Sequence, residues 1–427
     1  MGLGHFGGGA AAARWLARQG AIVTVTDLAD ATTLAEPLST LAGVPIAQYH
    51  LGGHQEEDFR SADLVVVNPA VRQGNRFIQL AVQAGALLTS EVELFAARCP
   101  APIIGVTGSN GKSTTAAMIA AILEADGRHV WLGGNIGVSL LDRLEEIRPE
   151  HWIVLELSSF QLRHLGSKAR LPEVAVLTNC TPNHLDWHGS FEDYAAAKQR
   201  ILTGQQFDAL AVLNPFDPEV SRWRRLVRGT LVPCVDQGVI PALRLPGEHN
   251  RQNALCAATA AVAVGCSSES IRTALERFGG LPHRLEMFAV FQGRRFYNDS
   301  AATTPEATIA ALESLQGRTW LLAGGSDKGS GFGPLADAIT RLTTGAAFFG
   351  TVRENLLALV LSRARGFTSN AVQTLDEALA WCWQRSRPGE NIMLSPACAS
   401  HDQFRNYRHR GEFFVDCVRK LAKAASG

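Results

Sequence analysis

A chain of 427 residues, 46% hydrophobic and 19% charged, carries enough apolar material for two or three packed domains and is not a disordered tract. Lysine plus arginine and aspartate plus glutamate both number 40, and this zero formal charge argues against nucleic acid or an anionic membrane as the main partner. No uncharged stretch is long enough to span a bilayer, no basic-then-apolar leader is present, and eight scattered cysteines form no CxxC pair, so a cytoplasmic protein with reduced thiols is expected.

The first segment reads strand, helix, strand. Gly2-Leu-Gly-His-Phe-Gly7 opens a helix with Trp15 and Leu16 on its apolar face, Gly20 ends it, and residues 21–26 form a buried strand closed by Asp27. Gly2, Gly4 and Gly7 match G-x-G-x-x-G, with Asp27 following 20 residues after Gly7. That pattern fits a nucleotide held on a Rossmann turn, or a purely structural glycine turn. A strand should precede such a turn, so the true start is expected upstream of Met1. Leu64–Val67 is a further short strand. A helix over 91–100 leads to a junction at Pro102.

The middle region is expected to hold strands at 103–106, 153–155 and 174–177, a loop and helix at 108–124 and a small-residue helix at 254–264. A second junction falls at Gly279-Gly280. The last third repeats the style, with strands at 320–323, 346–349 and 392–394. Strands alternating with helices favour parallel sheets. The economical reading is three α/β domains: 1–92, 93–280 and 281–427. No long exposed apolar stripe is evident, so a monomer is expected.

Thr107-Gly108-Ser109-Asn110-Gly111-Lys112-Ser113-Thr114 follows a strand and opens a helix. The N–H groups of such a turn point inward at phosphate oxygens, and the helix start adds about half a positive charge. Lys112 would neutralise the terminal phosphates and Ser113 would offer a hydroxyl to Mg²⁺. Position 106 is valine where the longer phosphate-loop pattern has glycine, so the loop is the shorter Gly-x-x-Gly-Lys-Ser form. Glu156 ends a neighbouring strand, where a carboxylate can reach a phosphate-borne Mg²⁺. His184 and Asp186 follow another strand, on the side where open α/β sheets bind ligands.

Together these segments resemble the Mur ligase family over almost the whole chain. The residues that carry the likeness are the loop at 107–114, Gly134-Asn-Ile-Gly137, Glu156-Leu-Ser-Ser-Phe-Gln-Leu162, Asn183-His-Leu-Asp186, Tyr194-Ala-Ala-Ala-Lys198 and Gly247-Glu-His-Asn250 with Asn253. Leu281-Pro-His-Arg284, Asn298-Asp-Ser300, Gly324-Gly-Ser-Asp-Lys328 and Leu394-Ser-Pro-Ala-Cys-Ala-Ser400 follow in the family's order. The resemblance implies a Rossmann-like UDP-binding domain, a central phosphate-loop ATPase domain and a C-terminal Rossmann-like domain. It also implies an ATP-dependent amide ligase of peptidoglycan precursor synthesis, adding D-glutamate to UDP-N-acetylmuramoyl-L-alanine through an acyl phosphate.

The roles the resemblance implies are these. Gly108, Ser109, Asn110, Gly111, Lys112, Ser113 and Thr114 hold ATP with Asn253, Arg284 and Asp299. Two Mg²⁺ ions are served by Ser113, Glu156, His184 and a carbamylated Lys198, and Lys112, Glu156, His184 and Lys198 carry catalysis. Gly4, His5, Phe6, Asp27, Asn135, Ser158 and Gln161 hold the UDP-linked substrate. Thr303, Lys328, Ser400, His401 and Tyr407 hold the amino acid.

The sequence departs from the family where Asn298-Asp-Ser-Ala301 places alanine at a lysine position, and at His401 and Tyr407. Two alternatives therefore stand beside D-glutamate ligation: the same chemistry with L-glutamate, and an inactive nucleotide-binding relative.

Overall fold

The computed structural model describes all residues except 5, 6, 73, 137, 138, 167, 168, 235–237, 239, 246, 327–330 and 425–427, together with the side chains of Asp186 and Ala424. The chain divides into two compact units, Met1–Leu243 with His249–Phe278 and Arg244–Glu248 with Gly279–Gly427. No helix among the described residues is long and apolar enough to cross a membrane.

The first unit begins with two parallel pairs, β1 (Thr24–Asp27) with β2 (Gln48–Leu51) and β3 (Leu64–Val66) with β4 (Leu87–Thr89). The backbone of the first two residues joins them. Gly2 N–H donates to the Thr26 carbonyl at 2.8 Å, and the Met1 amino group donates to the Val66 carbonyl at 2.9 Å. The strand expected at 21–26 starts three residues later, at Thr24, and the first helix runs Gly8–Arg18. That helix is alanine-rich because it is packed on two sides. Ala10, Ala13 and Ala17 face Val25 and Leu41, while Ala12 and Trp15 join the central core beside Phe95 and Leu141. Arg14 fixes the helix to the central region through Asp142 at 2.5 Å.

The central sheet has six parallel strands: β5 (Ile103–Thr107), β6 (Val130–Gly134), β7 (Trp152–Glu156), β8 (Val174–Leu177), β9 (Leu210–Leu213) and β10 (Thr230–Val232), in the order β10-β9-β8-β5-β7-β6. Strands β5 and β8 are buried along their whole length, as strands covered on both faces must be. The chain leaves β5 and skips a place to reach β6, so a crevice opens at the carboxyl end of β5, where such sheets bind ligands. The small-residue helix is longer than expected, Glu248–Ala263, and its alanines lie against this unit's core.

The second unit has β11 (Glu286–Phe291), β12 (Arg294–Asn298), β13 (Thr319–Gly324), β14 (Gly345–Phe349), β15 (Ser369–Ala371) and β16 (Asn391–Leu394), ordered β11-β12-β16-β13-β14-β15. All pairs are parallel except β11 with β12, an antiparallel hairpin turned by Gln292 and Gly293 with φ of 46° and 73°. Two left-handed residues in a row are what a two-residue hairpin turn requires. Helices cover both faces: Leu335, Ile339 and Leu356 pack on one, Leu375, Leu379 and Phe414 on the other.

Candidate active site

Strand β5 delivers the loop 108–111 into the crevice, and the helix Lys112–Ala125 leaves from it. Gly111 stands at φ 80°, and a Cβ there would overlap the Asn253 amide; a Cβ at Gly108 would overlap the Thr178 hydroxyl. Both positions therefore need glycine, and Asn253 lies against the loop. The segment after β8 braces the loop from the other side. Ser109 N–H donates to the Asn179 carbonyl at 2.9 Å, Asn110 N–H to Asn179 Oδ1 at 2.8 Å, and Thr178 Oγ1 to the Asn110 carbonyl at 2.6 Å. Lys112 Nζ lies over the loop, donating to the carbonyls of Gly108 at 3.0 Å and Ser109 at 2.8 Å. Thr114 is half-buried in the first helical turn.

A polar chain runs across the end of β7. Ser113 Oγ donates to Glu156 Oε2 at 2.5 Å and Asn135 Nδ2 to Glu156 Oε1 at 2.7 Å, with Glu156 only 1% exposed. Among the described residues, no three His, Cys, Asp or Glu side chains cluster as a protein-only metal cage. Mg²⁺ in nucleotide sites is held by one or two carboxylates and by substrate phosphates, and the pair Glu156 with Ser113 has the chemistry for that.

Lys198 comes from the helix Phe191–Thr203 and is 1% exposed. Its Nζ donates to the Gly108 carbonyl at 2.7 Å and sits 4.6 Å from the centre of the Tyr194 ring. Burial, and then the Lys112 charge, hold its ammonium well below the ordinary lysine range. The amine form of Lys198 is thereby favoured over the ammonium, beside a carbonyl it shares with Lys112. Tyr194 Oη meets Ser109 Oγ at 2.9 Å, which ties this helix to the loop.

His184 is exposed, at φ 53°, and heads the short helix Leu185–His188; its ring lies 4.9 Å from that of Phe160 and 6.5 Å from that of Tyr194. His188, which drew no attention in the sequence, is buried, with Nε2 3.0 Å from Ser159 Oγ. Burial, with help from His184, Lys198 and Arg163, lowers it to about 4, so it is neutral at pH 7.

Ser158 and Gln161 form the capping box of the helix Ser159–His164, each taking up the other's polar atoms. Gly4 and Asp27 make a separate group, with Gly4 N–H donating to Asp27 Oδ2 at 3.2 Å. His5 and Phe6 lie outside the described residues.

In the second unit, Asp299 is buried and pushed up to about 7 by that burial, against the donors Ser395 Oγ at 2.7 Å and Leu285 N–H at 3.0 Å. Arg284 is exposed, and Thr303 is half-buried next to Ala301. Ser400 is buried, His401 exposed, and Tyr407 half-buried with its ring 6.2 Å from that of His283. Lys328 lies outside the described residues.

Sequence reading missed the residue that assembles this group. Arg410 is fully buried and donates to the Ser300 carbonyl at 2.9 Å, Ser300 Oγ at 3.0 Å, the Cys398 carbonyl at 3.1 Å and the Ala399 carbonyl at 3.2 Å. It pins the 298–303 turn to the 398–400 segment. An arginine in the polar first turn of a helix carries no sequence mark of burial. Arg410→Ala leaves those acceptors unpaired and should destabilise the second unit by about 3–5 kcal/mol. Chemical denaturation checks this, and an unchanged midpoint would remove Arg410's organising role.

A braced glycine-lysine-serine loop at the end of an inner parallel strand, with a buried carboxylate facing its serine, defines a phosphate-loop α/β protein. Family models match in three consecutive stretches: the Mur ligase MurD-like N-terminal domain over residues 1–90, the Mur ligase middle domain over 106–239, and the Mur ligase glutamate ligase domain over 283–398. The chain belongs to the Mur ligase family, whose members use ATP. It is similar to the UDP-N-acetylmuramoylalanine--D-glutamate ligase of Geobacter metallireducens, 37% identical with 97% of this chain and 95% of that one covered. Similarity to the enzyme of that name from Geobacillus kaustophilus is 38%, over 97% and 95%. Among solved structures it resembles the UDP-N-acetylmuramate-alanine ligase MurC of Thermotoga maritima, with a TM-score of 0.62 at 20% identity and 98% of each chain covered. The MurF ligase of that organism, solved with ADP, aligns at a TM-score of 0.60 and 18% identity over 86% of this chain and 99% of that one. At these identities the structural likeness speaks for the fold.

Proposed function

We propose that this chain joins D-glutamate to UDP-N-acetylmuramoyl-L-alanine at the expense of ATP, a step of peptidoglycan precursor synthesis. Full-length similarity to D-glutamate ligases carries the choice of substrates. Three domains, 1–92, 93–280 and 281–427, divide the work between the UDP-linked substrate, ATP and the amino acid.

The chemistry follows from leaving groups. A carboxylate resists amines because oxide leaves poorly. Its oxygen attacks the γ-phosphorus of ATP and ADP departs, giving an acyl phosphate. The amine of glutamate then attacks the acyl carbon, inorganic phosphate leaves and the amine's surplus proton is released. Lys112 and the loop N–H groups hold and neutralise the phosphates. Asn253 borders the loop as a nucleotide contact. Glu156, Ser113 and His184 would hold two Mg²⁺ ions, which when bound offset charge on the transferring phosphoryl group. The Lys198 amine attacks CO₂, loses a proton and becomes a carbamate, an anion where an ammonium would repel cations.

Gly4, His5, Phe6, Asp27, Asn135, Ser158 and Gln161 serve the UDP-linked substrate. Arg284 and Asp299 serve ATP from the last domain, and Thr303, Lys328, Ser400, His401 and Tyr407 serve glutamate. The protein acts as a monomer. Phosphate release from ATP with Mg²⁺, UDP-N-acetylmuramoyl-L-alanine and either D- or L-glutamate tests the reading. Release with D-glutamate alone is expected. Release with L-glutamate alone would replace the amino acid, and release with neither would leave a binding module.

A further inference from the structure

A cavity of about 170 Å³ lies in the first unit, lined by Arg72, Gly74, Arg163, Trp187 and His188. None of the described lining side chains is acidic. Two guanidinium groups face the same space. Guanidinium pairs match phosphate and carboxylate oxygens in two-point geometry.

The walls are fixed from both sides. Trp187 Nε1 donates to the Ala70 carbonyl at 3.0 Å, and His164 Nε2 donates to the Val71 carbonyl at 2.8 Å. Arg72 therefore follows two residues clamped by the central region, although it lies in the loop after β3. Arg163 sits beside His164 on the helix Ser159–His164, and Phe160 of that helix packs edge-on against Trp187 at 4.8 Å.

The position relates the cavity to both ends of the proposed substrate. Asn68 begins the Arg72 segment and donates from Nδ2 to the Gly2 carbonyl at 3.1 Å, so this wall continues from the glycine turn. His188 continues the other wall through Ser159 to the end of β7 at Glu156. A ligand that runs from the turn to the phosphate loop would pass this cavity.

We propose that Arg72 and Arg163 form a two-sided oxyanion clamp for the UDP-linked substrate, gripping either its diphosphate or its terminal carboxylate. This rests on the function proposed above. Calorimetric titration of wild type, Arg72→Ala, Arg163→Ala and the double variant with UDP-N-acetylmuramoyl-L-alanine reads it directly. Each single change should weaken binding about tenfold and the double change more, while ATP binding and the unfolding midpoint stay put. Arg163→Lys should recover part of the loss.

UDP as a second titrant identifies the group. A parallel loss for UDP assigns the clamp to the diphosphate, and a loss confined to the alanyl substrate assigns it to the carboxylate. Full affinity in the double variant, or a loss shared equally by ATP, overturns the clamp. If wild type binds and turns over its substrates while the double variant does so equally well, the clamp alone fails; a wild type that binds no UDP-linked substrate sinks the functional reading as well.

Discussion

Lys198→Ala should cut phosphate release by about 10³-fold or more, and added bicarbonate should restore none of it. The side chain is buried against the Gly108 carbonyl, where an ammonium is disfavoured first by desolvation and then by Lys112. The amine is therefore the form that meets CO₂, and wild type in CO₂-depleted buffer should lose activity that bicarbonate returns. Turnover near the wild-type level in the variant would end the carbamate role. Stability gives a second readout, independent of catalysis. With its folded value depressed, Lys198 binds a proton more readily in the unfolded chain, so stability rises with pH up to the ordinary lysine value of about 10.4. Lys198→Met removes that penalty. In CO₂-free buffer it should raise the unfolding midpoint more at about pH 6 than at about pH 9. A midpoint difference that does not change with pH would show that the lysine is already neutralised in another way.

What the sequence disclosed follows from which physical signals are local. The phosphate loop was legible because glycine, lysine and serine at fixed spacing are demanded by backbone geometry, and overlaps at Gly108 and Gly111 supply that demand. The inner strands β5, β8 and β13 were legible because burial on both faces leaves unbroken apolar runs. Edge strands were not. Strand β2 is exposed over Gln48 and Tyr49, β6 ends in two glycines and β11 carries Glu286; β12, one place in from that edge, is masked by Arg294 and Arg295. The run Leu-Ala-Val-Leu of β9 has strand composition and Gln292-Gly293 has hairpin-turn composition, so both are local signals that a sequence can carry. The burial of Lys198 depends on where a whole helix docks, which no window of residues contains. The same holds for Arg410 and for the convergence of Arg72 with Arg163, which lie 91 positions apart in the chain.

Lys112→Ala should abolish ATP-dependent phosphate release, by about 10³-fold or more, while binding of the UDP-linked substrate is retained. Its ammonium stands over the loop between the Gly108 and Ser109 carbonyls, where it can neutralise terminal phosphates without moving the helix that carries it. Lys112→Arg should rescue little, because a planar fork does not replace a compact charge in a loop shaped for one. The substitution also reaches the second lysine. Lys112 is the largest charge effect lowering Lys198 after burial, so removing it shifts Lys198 back toward the ammonium. At a fixed pH near 7, Lys112→Ala should then need more bicarbonate to carbamylate Lys198, readable as the ¹³C signal of labelled carbamate against bicarbonate concentration. An unchanged titration would mean that burial alone governs Lys198, and phosphate release at the wild-type rate would remove the loop from the reaction. Because the two lysines share one carbonyl, the charge that binds the nucleotide also disfavours its neighbour's ammonium, and a double variant should lose less than the two single losses combined.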